Sequence, residues 1–146
     1  MGIDLKNWMQ SLPDDSDLLA LNLCGTHDCV TQHIRLPHFF CCQDLTVYEQ
    51  LLLGVRALDI RVRADGKCLT MVHGIFPAYN HSCHRANLMD MGDVLSQCYR
   101  FLDECPGEAV VFQFKNDNGK ENEQCFDNLF YTYIKGKEPY WYLEDR

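Results

Sequence analysis

The sequence has no apolar run of the roughly 20 residues needed to cross a bilayer. Its opening, M-G-I-D-L-K-N-W-M, lacks the apolar core of a secretory leader. Lys6 stands where a myristoylated Gly2 would be followed by Ser or Thr. The expectation from these absences is a cytoplasmic chain that meets membranes only peripherally. Positive charge is scarce: 13 Lys and Arg face 21 Asp and Glu, for a formal net charge of -8. This balance disfavours a nucleic-acid partner, whose phosphates need a basic face. No G-x-G-x-x-G and no G-x-x-x-x-G-K-[ST] follows an apolar run, so nucleotide binding has no motif behind it. C-x-x-C is also missing, although the chain has nine cysteines. His38, His81 and His84 with the polar-lying Cys29, Cys41, Cys42 and Cys83 lack the spacing of a structural zinc site. Without a secretory context a disulfide framework is not expected either. The expectation is therefore no cofactor and no metal.

What is present suits one folded domain. The chain has 146 residues, 47% of them hydrophobic and 12% aromatic, enough for a single core. Trp8 and Met9 read as anchors of a short helical turn before Pro13. The acidic run at Asp14, Asp15 and Asp17 reads as a helix cap rather than a cation site. Residues 21–24 read as a short buried strand ended by Gly25. Thr46-Val47-Tyr48-Glu49 is a capping box, and the helix it opens should stop at Gly54. A strand over 55–62 follows, then an Asp65-Gly66 turn and a strand over 68–72. Met91, Val94, Leu95, Cys98, Phe101 and Leu102 repeat at helical spacing within 88–102. The apolar run 109–114 reads as a strand buried on both faces, followed by a polar loop over 116–120. Phe126, Leu129, Phe130, Tyr133 and Ile134 form a last helical stripe. Cys24, Cys98 and Cys125 sit on apolar faces and read as buried thiols.

This alternation favours an α/β architecture with a mainly parallel sheet, either a small open sheet or the first half of a barrel. In such folds the active residues gather at the C-terminal ends of strands. His27 and Asp28 follow the first strand; Asp59 and Arg61 lie late in the second. His73 ends the third and Lys115 the fourth. Two imidazoles and a guanidinium suit phosphoryl chemistry without a metal. One imidazole takes a proton from an attacking hydroxyl and the other gives one to the leaving oxygen. Arg61 holds the non-bridging oxygens. Asp28 or Asp59 orients a histidine. The plainer reading makes Asp59 and Arg61 a structural ion pair, His27 and His73 turn residues, and Lys115 a solvated strand end. His33, His38, His81 and His84 lack strand-end placement and read as surface or loop residues.

Four blocks then sharpen this reading: L-C-G-T-H-D-C, C-Q-D-L-T-V-Y-E-Q-L-L-L-G-V-R-A-L-D-I-R-V-R, V-H-G, and F-L-D-E-C-P-G-E-A-V-V-F-Q-F-K. Together they resemble the X domain of the phosphatidylinositol-specific phospholipases C. The likeness is to the bacterial-type enzymes and their small animal relatives that consist of this domain alone. It runs from about Trp8 to Lys115. The resemblance implies a TIM-barrel-like, distorted (β/α) barrel, of which residues 1–146 supply about the first half. It implies His27 as general base, His73 as general acid, and Arg61 on the phosphate. Asp28 and Asp59 assist them, and Lys115 contacts the head group. In the family's calcium-dependent branch Asn replaces Asp28, and a Glu-x-Asp pair replaces Asp59 and Arg61. Arg61 itself supplies the positive charge here, which implies the metal-independent branch.

The implied reaction is attack of the inositol 2-hydroxyl of phosphatidylinositol on phosphorus, releasing diacylglycerol and a cyclic inositol phosphate. The resemblance also implies hydrolysis of the cyclic product as a second step open to such enzymes. Two departures stand out. Cys29 replaces a serine, and a full barrel needs about 250 residues. The carboxylate that orients the general base in bacterial-type enzymes comes from late in the barrel and has no counterpart here. The expectation is thus a fragment, a shortened isoform, or a half that pairs with itself or with a missing C-terminal half. The alternative is a catalytically inactive module that binds inositol phosphates or a protein partner. A glycerophosphodiester phosphodiesterase-like barrel is a further alternative; it would need a carboxylate-rich metal site, which Arg61 opposes.

Overall fold

The computed structural model describes residues 2, 4–65, 67–82, 87–117 and 123–142. Gly66 of the expected turn, Cys83 and His84, and residues 118–120 of the polar loop lie outside the described residues. The elements run β1 (Gly25–Thr26), α1 (Pro37–Phe40), α2 (Val47–Leu52), β2 (Ala57–Ala64), β3 (Leu69–His73), β4 (Phe76–Pro77), α3 (Met91–Glu104), β5 (Val111–Asn116) and α4 (Glu123–Ile134). Short 3-10 turns precede β1, including Leu5–Asn7 and Met9–Ser11 around Trp8.

β2 is the centre. β5 runs parallel along one edge, from Ala57↔Val111 to Val62↔Asn116. The other edge is shared by two strands placed end to end. β1 pairs parallel with its start, Gly25↔Ala57 and Thr26↔Leu58. β3 pairs antiparallel with its far end, from Val62↔Met71 to Ala64↔Leu69. The sheet is therefore mixed rather than mainly parallel. The reason is the length of the connection: a parallel return needs a crossover of a dozen or more residues, and the loop between β2 and β3 is too short for one. Asp65 caps that loop by accepting from the Lys67 and Cys68 amides.

Strand alternation divides β2 into two faces. Leu58, Ile60, Val62 and Ala64 are buried and pack with Leu51, Val94, Leu95, Cys98 and Phe101 of α2 and α3. Ala57, Asp59, Arg61 and Arg63 are only partly covered. β5 continues the same division: Val111, Gln113 and Lys115 are exposed beside them. The expectation of a β5 strand buried on both faces is thus corrected. One face of this sheet is the concave wall of a part-barrel, and no described element lies across from it.

The helix starts follow their sequence signals. Thr46 and Glu49 form both bonds of the capping box, and Gly54 ends α2 at φ 95°. Asp90 and Asp93 repeat the device at α3. Asp17 accepts from the Leu19 amide, so the acidic run includes a cap. The first strand lies one step later than expected. Residues 21–24 approach β2 only at Cys24, whose carbonyl accepts from the Arg56 and Ala57 amides. Cys24 and Cys125 are exposed, correcting their assignment to the core, whereas Cys98 is buried. Cys29, expected in polar surroundings, is fully buried, and burial pushes its thiol pKa up. A small apolar side chain suits that position.

Beneath the sheet lies one fully buried ion pair. Arg56 donates through Nε and Nη2 to Glu108 Oε2 at 2.8 and 2.6 Å. Nη1 and Nη2 also reach the carbonyls of Leu51, Val55, Lys6 and Leu5. Its guanidinium lies 4.6 Å from the Phe101 ring centre.

Candidate active site

The shared edge of β2 creates the site. β1 leaves this edge after Thr26, and β3 arrives along it at His73. Continued past the last paired residues, the two registers bring His27 beside Asp59 and His73 beside Ile60. The chain turns out of β1 through Asp28, which adopts φ 45°, a conformation uncommon for residues with a Cβ. The Cys29 amide then returns to the Asp59 carbonyl at 3.1 Å. Gln50 fixes this corner from beneath: it accepts from Thr26 Oγ1 and donates to the carbonyls of Cys29 and Leu45. Gln43 donates to the His27 carbonyl at 2.9 Å.

The side chains converge on Asp28, whose carboxylate is 1% exposed. Its Oδ1 lies 3.1 Å from Arg61 Nε. Its Oδ2 lies 3.2 Å from His27 Nε2 and 3.3 Å from His73 Nδ1. Neither oxygen makes a hydrogen bond of acceptable geometry. Burial is the main force on this carboxyl and raises its pKa against the pull of His73, Arg61 and His27. The two histidine rings meet edge to face with centres 6.5 Å apart.

Each imidazole is oriented by its own acceptor. His27 Nδ1 lies 2.7 Å from Asp59 Oδ2, and a carboxylate acceptor requires the proton on that nitrogen. The neutral ring then carries its lone pair on Nε2. His73 Nδ1 lies 3.1 Å from the Phe40 carbonyl, which likewise draws a proton to Nδ1. Asp59 is one of the two carboxylates that the sequence offered to orient a histidine, and it is the one in contact with His27 Nδ1.

Arg61 is ringed by acid. Besides Asp28 it meets Asp59 Oδ2 at 3.3 Å and Asp117 Oδ2 at 3.6 Å. Partial burial lowers its pKa, but the carboxylates of Asp28, Asp59 and Asp117 outweigh this and raise it. Lys115 projects from the same face and pairs with Asp117 at 2.9 Å. Burial works against the charged Asp117, but the bond from Lys115 prevails and lowers its pKa.

All six expected residues thus lie in one cluster: His27, Asp28, Asp59, Arg61, His73 and Lys115. One placement differs. Asp59 and Arg61 are the third and fifth residues of the eight-residue β2, not its C-terminal end. They meet His73 because β3 is antiparallel and brings its own end back to the middle of β2. Asp59 and Arg61 are also an ion pair, as the plainer reading had it. His33 stacks on His81 with ring centres 6.0 Å apart, away from this cluster. Two contributors escaped the sequence reading. Asp117 lies just past β5, two residues after Lys115, a spacing that returns a side chain to the same face. Cys42 follows α1, with its Sγ 3.8 Å from His73 Nδ1. The sequence marked it only as one of several polar-lying cysteines without metal-site spacing, since it sits in a loop distant in sequence from every strand end.

The fold is that of a TIM-barrel-like α/β protein, present as a part-barrel with an acid–base cluster on its concave wall. Solved structures agree. Phosphatidylinositol-specific phospholipase C of Staphylococcus aureus superposes with a TM-score of 0.76 at 27% identity, over 96% of this chain and 45% of that one. The enzyme of Listeria monocytogenes gives 0.75 at 26%, over 96% and 48%. Among curated proteins, the 1-phosphatidylinositol phosphodiesterase of L. monocytogenes is 26% identical over 149 aligned residues, 99% of this chain and 43% of that protein. That of S. aureus is 26% identical over 140, covering 92% and 42%. No protein-family model matches the chain. The chain is similar to these phosphatidylinositol-specific phospholipases C and spans about half the length of the curated relatives it matches.

Proposed function

We propose that the chain carries the acid–base half of a metal-independent phosphodiesterase site acting on phosphatidylinositol, an X-domain phospholipase C chemistry. The observation that carries this reading is the pair of oriented imidazoles. Asp59 holds the proton on His27 Nδ1, so Nε2 is the basic atom that takes the proton of the inositol 2-hydroxyl. Attack of that oxygen on phosphorus closes the cyclic phosphate. His73, protonated, gives its proton to the diacylglycerol oxygen as the bond to phosphorus breaks. Arg61 compensates charge on the non-bridging oxygens, and Asp28 keeps both imidazoles facing one point. Lys115, 59% exposed on the same wall, reaches toward the head group.

The mouth of the site supports a peripheral membrane contact. Leu36, Phe39 and Ile75 are exposed at its rim, and Phe40 joins that rim to β4 through Phe76, with ring centres 4.3 Å apart. Solved structures of the S. aureus relative concern modulation of its membrane binding. No helix among the described residues is long and apolar enough to cross a membrane. On this reading the chain acts at the cytoplasmic face.

A second reading rests on one fact, the chain's span of about half its relatives' length. On that reading the chain binds inositol phosphates without turnover, or needs a C-terminal half or a second copy seated against the open wall. One assay separates the two. The purified chain is given phosphatidylinositol micelles with chelator present, beside His27→Ala, and soluble inositol phosphate is measured. Chelator-resistant release that falls about 10²- to 10⁴-fold in the variant is the expected result. No release from a folded chain overturns the enzyme reading for this length of polypeptide.

A further inference from the structure

His27 Nε2 and Asp28 Oδ2 face each other at 3.2 Å. With the proton of His27 held on Nδ1 by Asp59, both facing atoms are acceptors. Two acceptors at that distance require a cation between or beside them, either a proton or a metal ion. Cys42 Sγ completes a third corner: ligand atoms of His27, Asp28 and Cys42 all lie within 4.8 Å of one another. We propose that these three side chains form an inhibitory site for a soft divalent cation, zinc above all, with a water as fourth ligand. The proposal rests on the same cluster as the proposed phosphodiesterase but gives it a distinct ligand.

The donor set selects the ion. A thiolate, an imidazole and one carboxylate oxygen are the ligands of zinc, whereas calcium takes six to eight oxygens. Zinc bonds of about 2.0–2.3 Å put neighbouring tetrahedral ligands roughly 3.3–3.8 Å apart. The His27–Asp28 separation is already close to that range. Cys42, exposed on its loop, and His27, 59% exposed, have room to close the remainder. Charge also matches. Asp28 and the Cys42 thiolate neutralise the ion, and the negative charges of Asp59 and Asp117 offset Arg61 on the far side of the carboxylate. Binding releases the Cys42 proton, as every thiolate site does.

The surroundings are those of a metal site. A metal-bound histidine ordinarily donates its other ring nitrogen to a carboxylate, and His27 does so to Asp59 at 2.7 Å. A bound carboxylate is itself held on its other oxygen, and Asp28 Oδ1 meets Arg61 Nε at 3.1 Å. Asp28 is buried, and its oxygens lack hydrogen bonds. His73 Nδ1 is turned to the Phe40 carbonyl and is not counted as a ligand. The ion would occupy His27 Nε2, the atom required as base, so zinc and turnover exclude one another.

The test is calorimetric titration of the reduced, chelator-stripped chain with zinc, alongside cobalt as a spectroscopic probe. The chain is expected to bind one equivalent more than Cys42→Ser does. Cobalt should give a thiolate charge-transfer band that Cys42→Ser removes and His27→Gln alters. Asp59→Asn should weaken binding by about 10- to 100-fold. Equal stoichiometry and affinity in the parent and Cys42→Ser, or no cobalt–thiolate band in the parent, overturns the proposal. Because two ligand variants are read separately, misfolding of one leaves the other to decide. Binding needs no substrate: zinc bound to a chain without turnover sinks only the phosphodiesterase, and chelator-resistant turnover without zinc binding sinks only the metal site.

Discussion

Arg56 and Arg61 lie five positions apart, one just before β2 and one within it, and they live in opposite worlds. Arg56 is fully buried, and its donors are met by Glu108 and four main-chain carbonyls. Charge, geometry and hydrogen bonding all balance there, and nothing is left over for a ligand. Arg61 is partly exposed among three carboxylates, and both oxygens of the nearest one, Asp28, lack hydrogen bonds. The same side chain is a girder in one place and an unfinished contact in the other. A polar cluster that is complete stabilises; one that is incomplete waits for something.

The sharpest way to break this contrast is to remove Glu108. Leaving Arg56 buried without its partner should cost about 3–5 kcal/mol, read as a large fall in the chemical denaturation midpoint of Glu108→Ala. Arg61→Gln should do the reverse. Loss of a charge donor aimed at the reacting phosphate should lower turnover by about 10²- to 10³-fold, with little change in thermal midpoint. A comparable loss of stability in both variants would erase the distinction. Asp28→Asn probes the incomplete side by pH. The raised pKa of Asp28 means that its ionisation opposes folding, so that cost is absent below the unfolded pKa and grows as pH rises through the folded one. The thermal midpoint of Asp28→Asn relative to the parent should therefore be higher at pH 7 than at pH 4. The smallest effect belongs to Lys115→Ala. Its exposed pair with Asp117 contributes at most about 1 kcal/mol to stability, and the variant should raise KM severalfold at unchanged kcat.

Much of this was legible in the sequence because local chemistry decides it. The capping box at Thr46 and the helical repeat from Met91 to Phe101 are local signals, and both appear where the pattern put them. His27, Asp28, His73 and Lys115 were found because strand ends are where side chains emerge; the same rule reached Asp59 and Arg61, although they lie mid-strand. What escaped was relational. The strand direction of β3 followed from the shortness of the 65–68 connection, a stronger constraint than the βα alternation that suggested a parallel sheet. Cys24 and Cys29 exchanged expected environments because burial at β1 depends on which edge of β2 it meets. The exposed face of β5 follows from alternation over residues 112–115, where Phe112 and Phe114 are half-buried and Gln113 and Lys115 are exposed. Cys42 reaches the site only through the fold of a loop, and no periodicity marks it.

The two-faced pattern of β2 has a last consequence. A slip of one residue would send Asp59 and Arg61 into the apolar layer and turn Ile60 and Val62 to water. There is no half-correct pairing in which the layer is sound and the cluster is lost. Assembly of the reactive groups and closure of the interior are one cooperative event, so the amides of residues 58–62 should exchange with deuterium only when the whole molecule opens.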